Sequence, residues 1–143
     1  MPFVRIWVHL IWSTKNRKAL IVPGLKPSLL EHVKANAKKK NIWIDTLNSV
    51  SDHVHALISL GAEQSISKVG MLLKGEFSHW INVHNLTNSK FEWQDEYIAI
   101  SVSESNVETV RRYIINQEDH HRKKSFTEEY DELMKNYGTY ISA

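Results

Sequence analysis

Residues 42 to 60 hold two strand-like runs separated only by Ser51 and Asp52, the second alternating with Val54, Ala56 and Ile58 on one face and His53, His55, Leu57 and Ser59 on the other. Side chains alternate across a strand, and so short a polar connection allows nothing but a hairpin, so the stretch predicts two adjacent antiparallel strands. The rest of the chain has to pack on that hairpin. Residues 3 to 14 alternate in the same way, with Val4, Ile6, Val8, Leu10 and Trp12 on one face and Arg5 and His9 on the other, and predict a further strand. Between the two, Pro27 at a first-turn position opens a helix to about residue 40. Its stripe is Leu30, Val33 and Ala37, and lysines in its last turn suit the helix dipole.

A second helix over about residues 65 to 84 places Ile66, Val69, Leu73, Phe77 and Trp80 on its buried face, and a strand follows near residues 97 to 102. Ser105 with Glu108 three residues later reads as a capping box that opens a third helix to about residue 121. A short acidic helix over residues 127 to 136 closes the chain. The order β-α-β-β-α-β, followed by helices, predicts an α+β, ferredoxin-like domain over residues 1–143. Its sheet has four antiparallel strands with helices on one face, and a C-terminal helix and a short tail helix are added to it. The third strand of such a sheet is central, so its other face is expected to be an exposed, rigid platform.

At 143 residues the chain can bury a core without disulfides, and with no cysteine it has neither a zinc-thiolate site nor a thiol nucleophile. The apolar N-terminal stretch is interrupted by Arg5 and His9 and lacks a basic leader, which makes the cytoplasm the expected compartment, with no membrane partner. A net charge of +2 excludes a histone-like polycation. Local clusters carry more information. Lys15, Arg17 and Lys18, Lys38 to Lys40, Arg111 with Arg112, and Arg122 to Lys124 are basic, whereas acids gather at Glu92 to Glu96 and Glu128 to Glu132. Such segregation suits a phosphate-binding face, although solvated helix ends would explain any one cluster.

His53 and His55 lie two apart on the second hairpin strand and therefore share a face about 7 Å apart. Two imidazoles so placed can close on one metal ion; they also fit partly exposed histidines hydrogen-bonded near a turn. On the third helix Tyr113 and Gln117 are four apart and share a face, which His120 or His121 continues for one more turn.

The pair HVH at 53 to 55 and YIINQ at 113 to 117 resembles the paired motifs of the single-tyrosine HUH transposases of small bacterial and archaeal insertion sequences. HLIWSTKNR at 9 to 17, SDHVHALI at 51 to 58, FEWQDEY at 91 to 97, SVS at 101 to 103 and QEDHHRKKSFTEEY at 117 to 130 resemble further blocks of that family in the same order.

The resemblance implies metal-dependent cleavage and rejoining of hairpin-bearing single-stranded DNA. Tyr113 would be the nucleophile of a 5′-phosphotyrosine intermediate, and His53, His55 and Gln117 the ligands of Mg²⁺ or Mn²⁺, with no nucleotide cofactor. It also implies a homodimer whose active sites combine the histidines of one subunit with the tyrosine helix of the other.

Lys15, Arg17, Lys18, Arg112, Arg122 and Lys123 are candidate DNA contacts; Asp52, His120 and His121 are candidates for orienting the site. Asp52 could equally cap the turn. Trp12, Trp43, Trp80 and Trp93 read as packing residues rather than stacking platforms. An HUH nickase of replication or relaxase type and a domesticated, non-catalytic hairpin-binding protein are the alternatives. Family members commonly carry glycines where this chain has Glu96 and Ile98, so a pivoting tyrosine helix would have to turn on residues 101 to 106 without glycine.

Overall fold

The computed structural model describes residues 2–87, 89–121 and 124–137, with the side chains of residues 120, 121, 133, 134, 136 and 137 outside the described set. Four strands, β1 (Ile6–Ser13), β2 (Trp43–Ser49), β3 (His53–Leu60) and β4 (Ile98–Val102), form one sheet in the order β2-β3-β1-β4. Every pairing is antiparallel. The predicted hairpin closes through Val50 N–H, which donates to the His53 carbonyl at 3.1 Å. In the central pairing Ser13 faces His53 and Ile6 faces Leu60. The α+β, ferredoxin-like order read from the sequence is the order observed.

Helices α1 (Lys26–Lys39) and α2 (Ile66–Val83) cover one face. The core lies between Val8, Leu10, Trp12, Val54, Ala56 and Ile58 of the sheet and Leu29, Val33, Val69, Leu73, Phe77 and Ile81 of the helices. Burying each large apolar side chain stabilises the fold by about 1.5–3 kcal/mol. Ser65 caps α2 by accepting from Lys68 N–H at 3.2 Å. Four expectations shift here. The first strand begins at Ile6, which is itself 46 % exposed; α1 buries Leu29, with Leu30 only partly covered; α2 buries Ile81, with Trp80 only partly covered; and Trp43, on the edge strand β2, is 66 % exposed rather than packed.

The opposite face is not an open platform. Helices α3 (Val107–Ile115), α4 (Gln117–His121) and α5 (Phe126–Tyr137) follow β4, and on this face Val107 and Ile114 form a second small core with Trp7 and Leu57. The predicted single helix over residues 105 to 121 is two. Asn48, buried on β2, donates through Nδ2 to the Ile114 carbonyl at 2.8 Å and the Ile115 carbonyl at 3.2 Å. Those carbonyls would otherwise take N–H groups of the next helical turn, so the helix stops at Asn116.

Nor does Ser105 form the capping box. Its Oγ lies 3.2 Å from Ser103 Oγ in a 3₁₀ turn over Glu104–Asn106, and the sequence pattern that does cap is Ser125 with Glu128 at the start of α5. An extra residue at Asp45 shifts the β2–β3 register, and both its carboxylate oxygens meet the Arg111 guanidinium at 2.8 Å, which ties α3 to the sheet. Those hydrogen bonds hold the Asp45 carboxyl below its ordinary pKa.

Candidate active site

The β3 alternation puts Val54, Ala56 and Ile58 into the main core and turns His53 and His55 to the other face, both fully buried. Burial rules out partly exposed histidines at the turn. Each imidazole is held from behind. His53 Nδ1 lies 2.7 Å from Asp52 Oδ1, and His55 Nδ1 lies 2.8 Å from His9 Nε2. Burial, with the charge of neighbouring His55 acting in the same direction, lowers the His9 pKa to about 3, so His9 is neutral and its Nε2 can accept a hydrogen bond from His55 Nδ1–H. With Nδ1 of both rings engaged behind, both Nε2 atoms face the same point, the arrangement in which histidine ligands are normally oriented.

At that point sits Glu129 of α5, 2 % exposed. Its Oε1 is 2.8 Å from His55 Nε2, and its Oε2 is 4.0 Å from His53 Nε2. The ligand atoms of His53, His55 and Glu129 all lie within 4.8 Å of one another. The acidic run Glu128 to Glu132, read as lying away from the phosphate-binding face, therefore reaches into the centre. Phe126 closes the same side, its ring 4.5 Å from that of His53.

Tyr113 and Gln117 stay together despite the break at Asn116. The Tyr113 ring is 5.7 Å from His55 and 6.0 Å from His9. Burial and then the negative charge of Glu129 push its hydroxyl above the ordinary tyrosine pKa, partly opposed by the Gln117 side chain. Gln117 is fully buried; its Nε2 donates to the Tyr113 carbonyl at 3.3 Å, while its Oε1 is buried without a hydrogen-bond partner among the described residues. An orphaned buried carbonyl oxygen costs about 1–3 kcal/mol, and a cation beside it would remove that cost.

Two imidazole nitrogens and a carboxylate within 4.8 Å of one another fit a divalent ion that accepts mixed nitrogen and oxygen ligands.

Among the other candidates, Asp52 contacts His53 as one of its two readings required. Arg17 approaches the site: its guanidinium lies 5.1 Å from the Phe126 ring and donates to Thr127 Oγ1. Lys15 is paired with Glu92 at 3.4 Å, Lys18 is exposed, and Arg112, largely exposed, is 3.9 Å from Glu108. Arg122 and Lys123 lie outside the described residues, as do the side chains of His120 and His121.

His9 and Glu129 are the residues that the sequence reading missed. His9 shares the alternating face of Trp7 and Ile11, and Glu129 interrupts the apolar stripe of Phe126 and Tyr130 at helical spacing, the one signal that it points inward. Among the described residues no helix is long and apolar enough to cross a membrane.

The family pattern described as Transposase IS200 like matches residues 3–117. The ISDra2 transposase TnpA of Deinococcus radiodurans is 27 % identical over 117 residues, which cover 78 % of this chain and 83 % of that protein. A crystal structure of a candidate transposase from the same species has a TM-score of 0.64 at 24 % identity, covering 81 % of this chain and 93 % of that one. A REP-associated tyrosine transposase bound to a REP hairpin also has a TM-score of 0.64, at 14 % identity, with 85 % and 72 % covered. At these identities the two structures establish a shared fold.

Proposed function

Because the chain belongs to the IS200-like transposase family, we propose that it cuts and rejoins hairpin-bearing single-stranded DNA, with Tyr113 as nucleophile and a divalent ion, Mg²⁺ or Mn²⁺, held at His53 and His55. The observation that carries this reading is the convergence of both imidazoles and a carboxylate on one buried centre, with the Tyr113 ring 5.7 Å from His55. His53, His55 and Gln117 Oε1 would hold the ion, with Glu129 as a further ligand while α5 is seated. When bound, the ion supplies positive charge to the phosphate oxygens.

The chemistry left to the chain is a transesterification. The Tyr113 oxygen bonds to phosphorus as the bond from phosphorus to the 3′ oxygen breaks, and the phenolic proton ends on that oxygen. The products are a phosphotyrosine and a free 3′-hydroxyl. Since one phosphoester replaces another, a 3′-hydroxyl can reverse the step without ATP.

Full burial of both imidazoles means that a phosphate reaches them only after Glu129 withdraws or α5 shifts. A hairpin oligonucleotide with single-stranded flanks is therefore expected to be cut in Mn²⁺ or Mg²⁺ and left intact in excess EDTA; undiminished cutting in EDTA contradicts the metal assignment.

The proposal includes a homodimer with composite sites. A second reading, a site complete in one subunit, draws on the placement of Tyr113 beside the histidines of its own chain. The two placements would interchange by rotation at Ser103 to Asn106, where β4 has ended and only the 3₁₀ turn intervenes. Co-expressing a His53→Ala/His55→Ala chain with a Tyr113→Phe chain separates them. Composite sites restore cutting to roughly a quarter of wild type for random mixing, because about half the dimers are mixed and each has one intact site of two. Verified heterodimers without activity establish the site within one subunit.

A further inference from the structure

The FEWQDEY block at residues 91 to 97 takes no part in the chemistry above, yet it forms one wall of a cleft of about 1010 Å³. The cleft opens along the β1–β4 edge of the sheet. Gln94, Glu96 and Tyr97 line it from that block, Arg17 from the turn after β1, and Phe126 and Tyr130 from α5. One ring separates it from the metal-ligand cluster: Phe126, which lines the cleft, packs on His53 at 4.5 Å and lies 6.4 Å from Tyr130.

The turn that presents Arg17 is itself unusual. Asn16 and Arg17 both adopt left-handed backbone, with φ of 57° and 54°, a conformation that L side chains rarely take and that persists only where neighbours impose it. The block imposes it here. Asn16 N–H donates to Gln94 Oε1 at 3.2 Å and Lys15 N–H donates to the Glu92 carbonyl at 3.0 Å, while the turn's own bond runs from Arg17 N–H to the Thr14 carbonyl at 3.0 Å.

We propose that this cleft is a slot for a nucleobase of the single strand whose phosphate reaches the histidine centre, and that it favours a base carrying an exocyclic amino group. The proposal rests on the transposase reading. A stacked base suits the ring of Tyr97, which is 37 % exposed and stands on the wall that stays with the sheet when α5 shifts. Arg17 supplies the cation for the adjoining phosphate, and the Glu96 carboxylate accepts from an amino group such as that of cytosine but repels the carbonyl that thymine has in its place.

The test is binding of fluorescent (dC)₁₂ and (dT)₁₂ in EDTA, which removes cleavage from the measurement, with a 12-base-pair duplex as control. Wild type is expected to bind (dC)₁₂ several-fold more tightly than (dT)₁₂. Tyr97→Ala is expected to lose roughly tenfold for both single strands, within the range that base stacking contributes, Tyr97→Phe to retain wild-type affinity, and duplex affinity to stay unchanged. Glu96→Ala is expected to remove the preference for (dC)₁₂. If Tyr97→Ala binds both strands like wild type, the slot is refuted while a wild type that still cuts hairpin DNA keeps the transposase reading. If the Tyr97 series behaves as stated but wild type cuts nothing in Mn²⁺, the slot stands and the chemistry assigned to Tyr113 falls.

Discussion

Tyr113→Phe is expected to form no covalent adduct with DNA and to lose cleavage by about 10³-fold or more, while its affinity for a DNA hairpin changes less than a few-fold. The substitution deletes one oxygen from a half-buried ring whose packing against His9 and His55 is otherwise kept. Removing a nucleophile eliminates an interaction made only along the reaction path, so the loss falls on rate and not on binding. The ground-state environment makes the same point from the other side. Burial and the Glu129 carboxylate hold the hydroxyl protonated, so the phenol needs the site's positive charge before it can attack. A structural role for Tyr113 would show instead as a lowered melting temperature with adduct yield preserved. Gel analysis of the adduct, together with thermal unfolding, tells the two apart.

The second large effect is loss of metal binding. His53→Ala/His55→Ala is expected to abolish cleavage and to remove the rise in melting temperature that Mn²⁺ gives the wild type. A ligand that binds only the folded state stabilises it by RT ln(1 + [L]/Kd), about 2.7 kcal/mol at a hundred times Kd. Truncation has its own cost, because Asp52 and Glu129 lose their imidazole partners and Glu129 remains buried. His53→Gln, which keeps more of the side-chain volume, guards against reading instability as lost chemistry: it should stay folded with weakened Mn²⁺ stabilisation. A Mn²⁺-dependent rise in melting temperature equal to that of wild type in the double variant would place the ion elsewhere.

Much of this was legible in the chain itself because the decisive patterns are local. Two apolar runs joined only by Ser51 and Asp52 give a hairpin whatever surrounds them, and the alternation of residues 53 to 59 forces His53 and His55 onto one face. What escaped the reading depends on partners far apart in sequence. The stop at Asn116 is imposed by Asn48, and nothing between residues 105 and 121 announces it. Glu129 is drawn inward because Phe126 and Tyr130 on the same stripe bury it against the histidines. An acid in an acidic run reads as solvated until that stripe is counted. His9 looked like the polar side of a half-buried strand, but α3 and α5 cover that side too, and its imidazole became the support for His55. Trp43 erred in the opposite direction: an edge strand leaves one side without a neighbour, and the indole stands in solvent.

The central claim, that Tyr113 carries the broken strand, is tested most directly by mapping the covalent adduct. Wild-type protein incubated with Mn²⁺ and a hairpin oligonucleotide bearing single-stranded flanks would be digested with protease and nuclease, and the nucleotide-bearing peptide identified by mass spectrometry. The account predicts one modified residue, Tyr113, in a peptide from α3, with phosphate linking its oxygen to the 5′ end of the cut strand. A nucleotide on Tyr97 or Tyr130, or cleaved DNA with no protein adduct at any time point, would contradict it.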